Sequence, residues 1–142
     1  MTSRTKYDDL IRAAITALDH SHPANPSNLK FGAAVLTESG TIYASSAFWS
    51  VTLALALHGE QAALAHAAAH GERRVVALAC VSTEDPKGQR ICHPCGICKQ
   101  LIYESASDSG IDIEVVMANL SGEATVKRIS ELVPFPWPMR PN

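Results

Sequence analysis

The chain carries no strong charge of either sign: twelve lysines and arginines against fourteen acids give a formal net charge of −2. Its basic residues are scattered, so no stripe is present to track a phosphate backbone. The expected partner is therefore a small molecule rather than a nucleic acid. Met1 to Asp9 contains no apolar stretch that would serve as a secretory signal. No membrane span is read either, because the most apolar region, Val51 to Ala69, is interrupted by His58, Glu60, Gln61 and His66. These absences make a cytoplasmic location the expectation. In that compartment the four cysteines read better as ligands or core residues than as a disulfide framework. No internal repeat and no linker divides the 142 residues. That length suits one domain, residues 1–142, able to bury a core unaided and ending in a proline-rich tail over 133–142.

Apolar residues at helical spacing (Leu10, Ile11, Ala14, Ile15, Leu18) predict a helix over Tyr7 to Leu18. Turn formers fill the next ten residues. Phe31 to Thr37 and Thr41 to Ala47 read as two strands joined by the short turn Glu38-Ser39-Gly40. An alanine-rich helix follows over Gly59 to His70, closed by Gly71. Arg73 to Ser82 is apolar on both faces, which predicts the centre of a sheet. After a polar loop, a helix is expected over Cys95 to Ala106 and a strand over Ile111 to Ala118. An edge strand over Ala124 to Lys127 and a short helix over Ile129 to Leu132 complete the pattern. Alternate prolines keep the tail extended. The order implies an α/β protein with a mixed sheet and helices on both faces.

Two short segments carry the chemistry: His58-Gly59-Glu60 and Pro94-Cys95-Gly96-Ile97-Cys98. Each opens a predicted helix, where partial positive charge and free N–H groups favour the thiolates that bind metal. Cys95 and Cys98, at i and i+3, fall on one face of the first turn, and His58 supplies a third ligand. Two thiolates and one imidazole favour zinc over harder ions. Three protein ligands leave one position for water, the arrangement of a catalytic zinc, and such a water has a pKa of about 7. Glu60, two residues after His58, is placed to accept a proton from it and pass protons onward. The combined pattern H-x-E…P-C-x-x-C is the signature of zinc deaminases. Cys92 leaves another possibility open, a closed structural site of three cysteines and His58. Cys80 reads as core, and the i, i+4 pair His66 and His70 as surface or interface residues.

Those segments, with Gly32-Ala-Ala-Val-Leu-Thr, Lys99-Gln-Leu and Ile129-Ser-Glu-Leu-Val-Pro, resemble the cytidine deaminase family over residues 5–137. The likeness is to its small-molecule branch, which includes blasticidin-S deaminase. It implies a three-layer α/β/α sandwich with a mixed five-stranded sheet and one Zn²⁺ per chain. It also implies hydrolysis of an exocyclic amine to a carbonyl, and a homotetramer or homodimer with sites near subunit interfaces. The family pattern places the Gly59 N–H on the ring carbonyl. Leu29 and Phe31, at the head of the first strand, are candidate pocket walls. His93, a difference from the family just before Pro94, lies near where ammonia should leave and either contacts substrate or caps the loop. Phe135 and Trp137 either pack the proline-rich tail or reach a neighbouring subunit's pocket.

The chain departs from the family where cytidine deaminases carry Asn-x-Glu-Asn to grip the sugar. Here the corresponding residues are Ala47-Phe48-Trp49-Ser50. Ala47 and Trp49 cannot make those bonds, so a modified nucleoside, a nucleoside antibiotic or a free base is expected ahead of ordinary cytidine or deoxycytidine. Where the tetrameric branch offsets a third thiolate with an arginine, this chain has His58 and neutral Gln61. The first shell then sums to zero charge. Two other readings stand beside the enzyme: a non-catalytic zinc-containing binding protein, and a nucleic-acid editor, against which the absence of a basic stripe speaks.

Overall fold

A computed structural model describes residues 6–21 and 29–139. The first helix, α1 (Asp8–Ala17), has Asp8 and Asp9 in its first turn, where the helix dipole favours negative charge. It buries Leu10, Ile11, Ala14 and Ala17 and runs into a 3-10 turn over Leu18–His20. Strands β1 (Phe31–Thr37) and β2 (Ile42–Ser46) form the expected hairpin, whose turn is closed by Gly40 N–H on the Thr37 carbonyl at 2.9 Å. The predicted turn residues 22–28 lie outside the described residues.

Helix α2 (Gly59–Ala69) leads to β3 (Val75–Ser82), buried along nearly its whole length. Helix α3 spans Gly96–Ser109, three residues beyond the predicted end. Ser107, Asp108 and Ser109 continue it because Ser109 Oγ bonds back to the Ser105 carbonyl at 3.1 Å. Gly110, at φ +75°, then ends it in a conformation that only glycine adopts freely. Strand β4 begins at Glu114 rather than Ile111, since its ladder with β3 starts at the Ala77–Glu114 pair. Strand β5 (Ala124–Arg128) and helix α4 (Ile129–Leu132) follow.

The sheet order is β2-β1-β3-β4-β5, with β3 and β4 parallel and every other pair antiparallel. The all-apolar strand therefore does occupy the centre. Alternation along the strands sends side chains to two cores. Val35, Leu78, Cys80, Val115 and Met117 join Ala63, Ala67, Ile102 and Ala106 of α2 and α3 on one face. Ala34, Ala77, Ala79, Val81 and Val116 meet α1 on the other. This is the three-layer sandwich expected. At Gly32 the α1 backbone comes so near β1 that an added Cβ would lie 2.3 Å from the Ala14 carbonyl oxygen. Among the described residues, no helix is long and apolar enough to cross a membrane.

The register brings the head of β1 and the ends of β2 and β3 to one end of the sheet: Gly32 faces Ser46, and Phe31 faces Ser82. Ligand sites in open α/β sheets form beyond such strand ends.

Candidate zinc-dependent active site

A set of loop and cap hydrogen bonds aims the site at that end. The Ala47 N–H donates to the Phe31 carbonyl at 3.0 Å, and Phe48 and Leu57 exchange two hydrogen bonds of 2.9 Å. Together these pin the base of an excursion over 48–57. His58 follows at once, extended at φ −73° and ψ 158°, as the N-cap of α2. Its N–H donates to Gln61 Oε1 at 2.8 Å, the backward half of a capping box. On the other side the Cys92 N–H donates to the Ala118 carbonyl at 2.9 Å, fixing the approach to Pro94 and Cys95. Cys95 is the N-cap of α3, its carbonyl accepting from Lys99 N–H at 2.9 Å. Buried Asn119 ties the preceding loop down by donating to the Gln89 carbonyl and accepting from Ser121 and Glu123 N–H.

Among the described residues, His58, Cys95 and Cys98 form the one cluster able to hold a metal, their ligand atoms all within 4.8 Å of one another. His58 Nδ1 lies 3.2 Å from Cys95 Sγ and 3.3 Å from Cys98 Sγ. Tetrahedral zinc, with bonds of about 2.0 Å to nitrogen and 2.3 Å to sulfur, separates such donors by roughly 3.5 Å. The donor set and its spacing fit zinc. Burial pushes the Cys98 thiol above its ordinary pKa, and the nearby charges of Glu60 and Cys95 push it the same way. A divalent cation reverses that balance and takes the sulfur as thiolate. Cys92 is not in the cluster. It is buried, its backbone carbonyl accepting the Cys80 thiol at 3.5 Å, and its proximity together with burial keeps the Cys80 thiol well above its ordinary pKa. The closed three-cysteine site is therefore not formed.

Glu60 is buried in the first turn of α2, its Oε2 3.4 Å from Cys98 Sγ. Beside it opens a cavity of about 240 Å³, whose walls include Phe31, Ala47, Trp49, His58, Glu60 and His93. So four of the expected pocket residues (Phe31, Ala47, Trp49 and His93) meet at the metal cluster. His93 Nδ1 sits 3.2 Å from Met117 Sδ. Gly59, between the wall residues His58 and Glu60, is packed so closely against β1 that an added Cβ would come 3.3 Å from the Phe31 carbonyl oxygen. Leu29 does not line the cavity. Nor do Phe135 and Trp137, whose side chains are 94% and 78% exposed. Their backbone is nevertheless held: Gln100 Nε2 donates to the Trp137 carbonyl at 2.6 Å, and Tyr103 OH to that of Pro138 at 2.5 Å. Glu84, Ala56, Leu57 and Cys92 also line the cavity and were not singled out by the sequence as pocket residues. They sit in a loop and an irregular excursion, whose placement no periodicity reports. His66 and His70 are exposed at the C-terminal end of α2, away from the metal ligand His58 at its head, with ring centroids 5.1 and 5.0 Å from that of Tyr43.

An α/β/α sandwich that gathers one imidazole, two thiolates and a buried carboxylate at a cavity defines a hydrolytic zinc enzyme. Comparison narrows the class. Residues 4–111 match the model of the cytidine and deoxycytidylate deaminase zinc-binding region. A cytidine deaminase of Halalkalibacterium halodurans is 33% identical over 125 residues, 88% of this chain and 89% of the relative. One from Sporosarcina psychrophila is 33% identical over 109 residues, covering 76% and 74%. The solved cytidine deaminase of Burkholderia pseudomallei superposes with a TM-score of 0.79 at 29% identity, covering 94% of this chain and all of the other. The chain belongs to the cytidine and deoxycytidylate deaminase family and is a zinc-dependent hydrolytic deaminase.

Proposed function

We propose that the chain hydrolyses the exocyclic amine of a cytosine ring, in a free nucleoside or base, to a carbonyl with release of ammonia. The observation that carries this reading is the buried Glu60 carboxylate, held 3.4 Å from a ligand sulfur at the edge of a cavity sized for a small molecule. The names of the relatives favour cytidine as the first substrate to assay. Ala47 and Trp49 on the wall favour modified nucleosides as well, because neither supplies a carboxylate or amide to grip a ribose.

A zinc ion on His58, Cys95 and Cys98 would supply Lewis acidity, making water a nucleophile at neutral pH. Water adds to the amine-bearing carbon. Glu60 takes one of its protons and returns it to the adjacent ring nitrogen. It then carries a second proton to the amine, so that the carbon–nitrogen bond breaks with ammonia as the leaving group. The Gly59 N–H, at the head of α2 before the helix's internal ladder begins, holds the ring carbonyl. Phe31 and Trp49 pack against the ring, and His93 borders the exit of ammonia.

The chain is further proposed to work as a homodimer or homotetramer in the cytoplasm, on small molecules. Val51, Leu53, Leu55, Phe135 and Trp137 are large apolar side chains left exposed. Such surface is the kind that subunits cover. Phe135 and Trp137, projecting from a backbone anchored on α3, would serve a neighbouring copy rather than their own cavity.

Zinc-loaded protein should release ammonia from cytidine or from an analogue in a panel of cytosine nucleosides and cytosine. The Glu60→Gln variant should lower kcat by about 10² to 10⁴ with its zinc content unchanged. Ammonia at the wild-type rate from that variant would refute the shuttle. Silence from the zinc-loaded wild type on the whole panel would refute the reaction.

A further inference from the structure

Apart from Glu60, the described wall of the cavity carries one other carboxylate, Glu84, and no lysine or arginine. Glu84 lies two residues beyond the end of β3. Its neighbour Thr83 exchanges hydrogen bonds with Lys30, the Thr83 N–H on the Lys30 carbonyl at 3.0 Å and the Lys30 N–H on Thr83 Oγ1 at 2.9 Å. That double tie holds the segment against the head of β1, beside Phe31. The Glu84 carboxylate accepts one long hydrogen bond, from Ser82 Oγ at 3.4 Å. No ion pair among the described residues involves it. The carboxylate has spare acceptor capacity, on a residue that lines the cavity and is otherwise exposed.

We propose that Glu84 reads the substituent carried by the ring, accepting hydrogen bonds from hydroxyl or ammonium groups and rejecting a phosphate. Beyond the proton shuttle, the described wall offers a ligand one carboxylate, Glu84, and no lysine or arginine. A hydroxyl or ammonium donor meeting a carboxylate makes a charge-assisted bond. A phosphate in the same place meets a carboxylate, with no lysine or arginine on the described wall to relieve it. The residue thus supplies an acceptor that Ala47 and Trp49 lack, from a different strand end. This inference rests on the reading that a cytosine ring occupies the cavity.

The test compares zinc-loaded wild-type, Glu84→Gln and Glu84→Ala proteins. Dissociation constants for cytosine, cytidine and cytidine 5′-monophosphate come from tryptophan fluorescence, and kcat and KM from ammonia release. In Glu84→Ala the Kd and KM for cytidine should rise about tenfold, with kcat held within about twofold and cytosine unaffected. In both variants the affinity ratio of monophosphate to cytidine should move about tenfold towards the monophosphate. An unchanged ratio, or a loss equal for cytosine and cytidine, overturns the proposal. A wild type that binds cytidine but releases no ammonia sinks the deaminase reading alone, and the binding ratios still decide Glu84. A wild type that binds none of the three ligands overturns both.

Discussion

Replacing Gln61 by alanine should loosen the zinc ligand His58 without unfolding the protein. Gln61 Oε1 accepts the His58 N–H at 2.8 Å, and His58 is half-buried, so water replaces that bond incompletely. A bond of this kind contributes about 1 kcal/mol net. It exists in the zinc-free fold as well, so the loss divides between two quantities. One share falls on stability, where 1 kcal/mol corresponds to roughly 3 °C of melting temperature for a chain of this size. The other falls on zinc affinity, because the backbone that presents Nδ1 to two sulfurs at 3.2 and 3.3 Å becomes less fixed. The whole bond equals about fivefold in a binding constant, which is the ceiling for that share. Competition against a chromophoric chelator measures the zinc affinity, and a thermal melt of chelated protein measures the fold. The Gln61→Glu variant keeps the acceptor in the capping-box position and should restore both. A Gln61→Ala protein with unchanged zinc affinity and unchanged apo melting temperature would refute the reasoning. So would failure of Gln61→Glu to rescue.

Gly32→Ala should destabilise the fold by about 3 kcal/mol, measured as a shift in urea midpoint, because its Cβ would meet the Ala14 backbone oxygen at 2.3 Å. A helix must then lift off the sheet, and a shift worth under about 1 kcal/mol would contradict the close seating of α1. In acid, Glu114 should contribute to unfolding. The Tyr7 hydroxyl, and less strongly Lys6, hold its carboxyl below the ordinary carboxylate pKa. Its stabilisation is present above the unfolded pKa of about 4.3 and is lost as pH falls through the lower folded value. Glu114→Gln should therefore flatten the acid limb of the stability curve, as read by denaturant titration at several pH values.

The elements were legible in sequence where a single period ruled. The helical spacing of Leu10, Ile11 and Ala14 and the unbroken apolar run of β3 each report their own burial, and both stand as expected. The ends were less legible. Whether α3 stopped at Ala106 or Ser109 depended on a serine back-bond and on Gly110, local choices that periodicity does not encode. The metal ligands were legible because zinc demands particular atoms at the heads of two helices, and side-chain type plus spacing states that demand. Glu84 was not legible as a pocket residue, since a lone acid in a polar loop looks like any solvated charge.

The sequence alone determined the donor chemistry: one imidazole, two thiolates and a carboxylate two residues from the first ligand, each segment opening a helix. It determined the layers too, because strands apolar on both faces must be covered on both. Only the tertiary structure decided that Phe31, Ala47, Trp49 and His93 share one cavity with His58 and Cys95, that Cys92 stays out of the metal cluster, and that Glu84 joins the wall. It likewise decided that Phe135 and Trp137 stand clear of their own cavity. The physical reason is that these positions are set by strand register and by loop hydrogen bonds between residues distant in the chain. Phe31 facing Ser82, Cys92 bonded to Ala118 and Asn119 holding Gln89 are pairings no local pattern specifies.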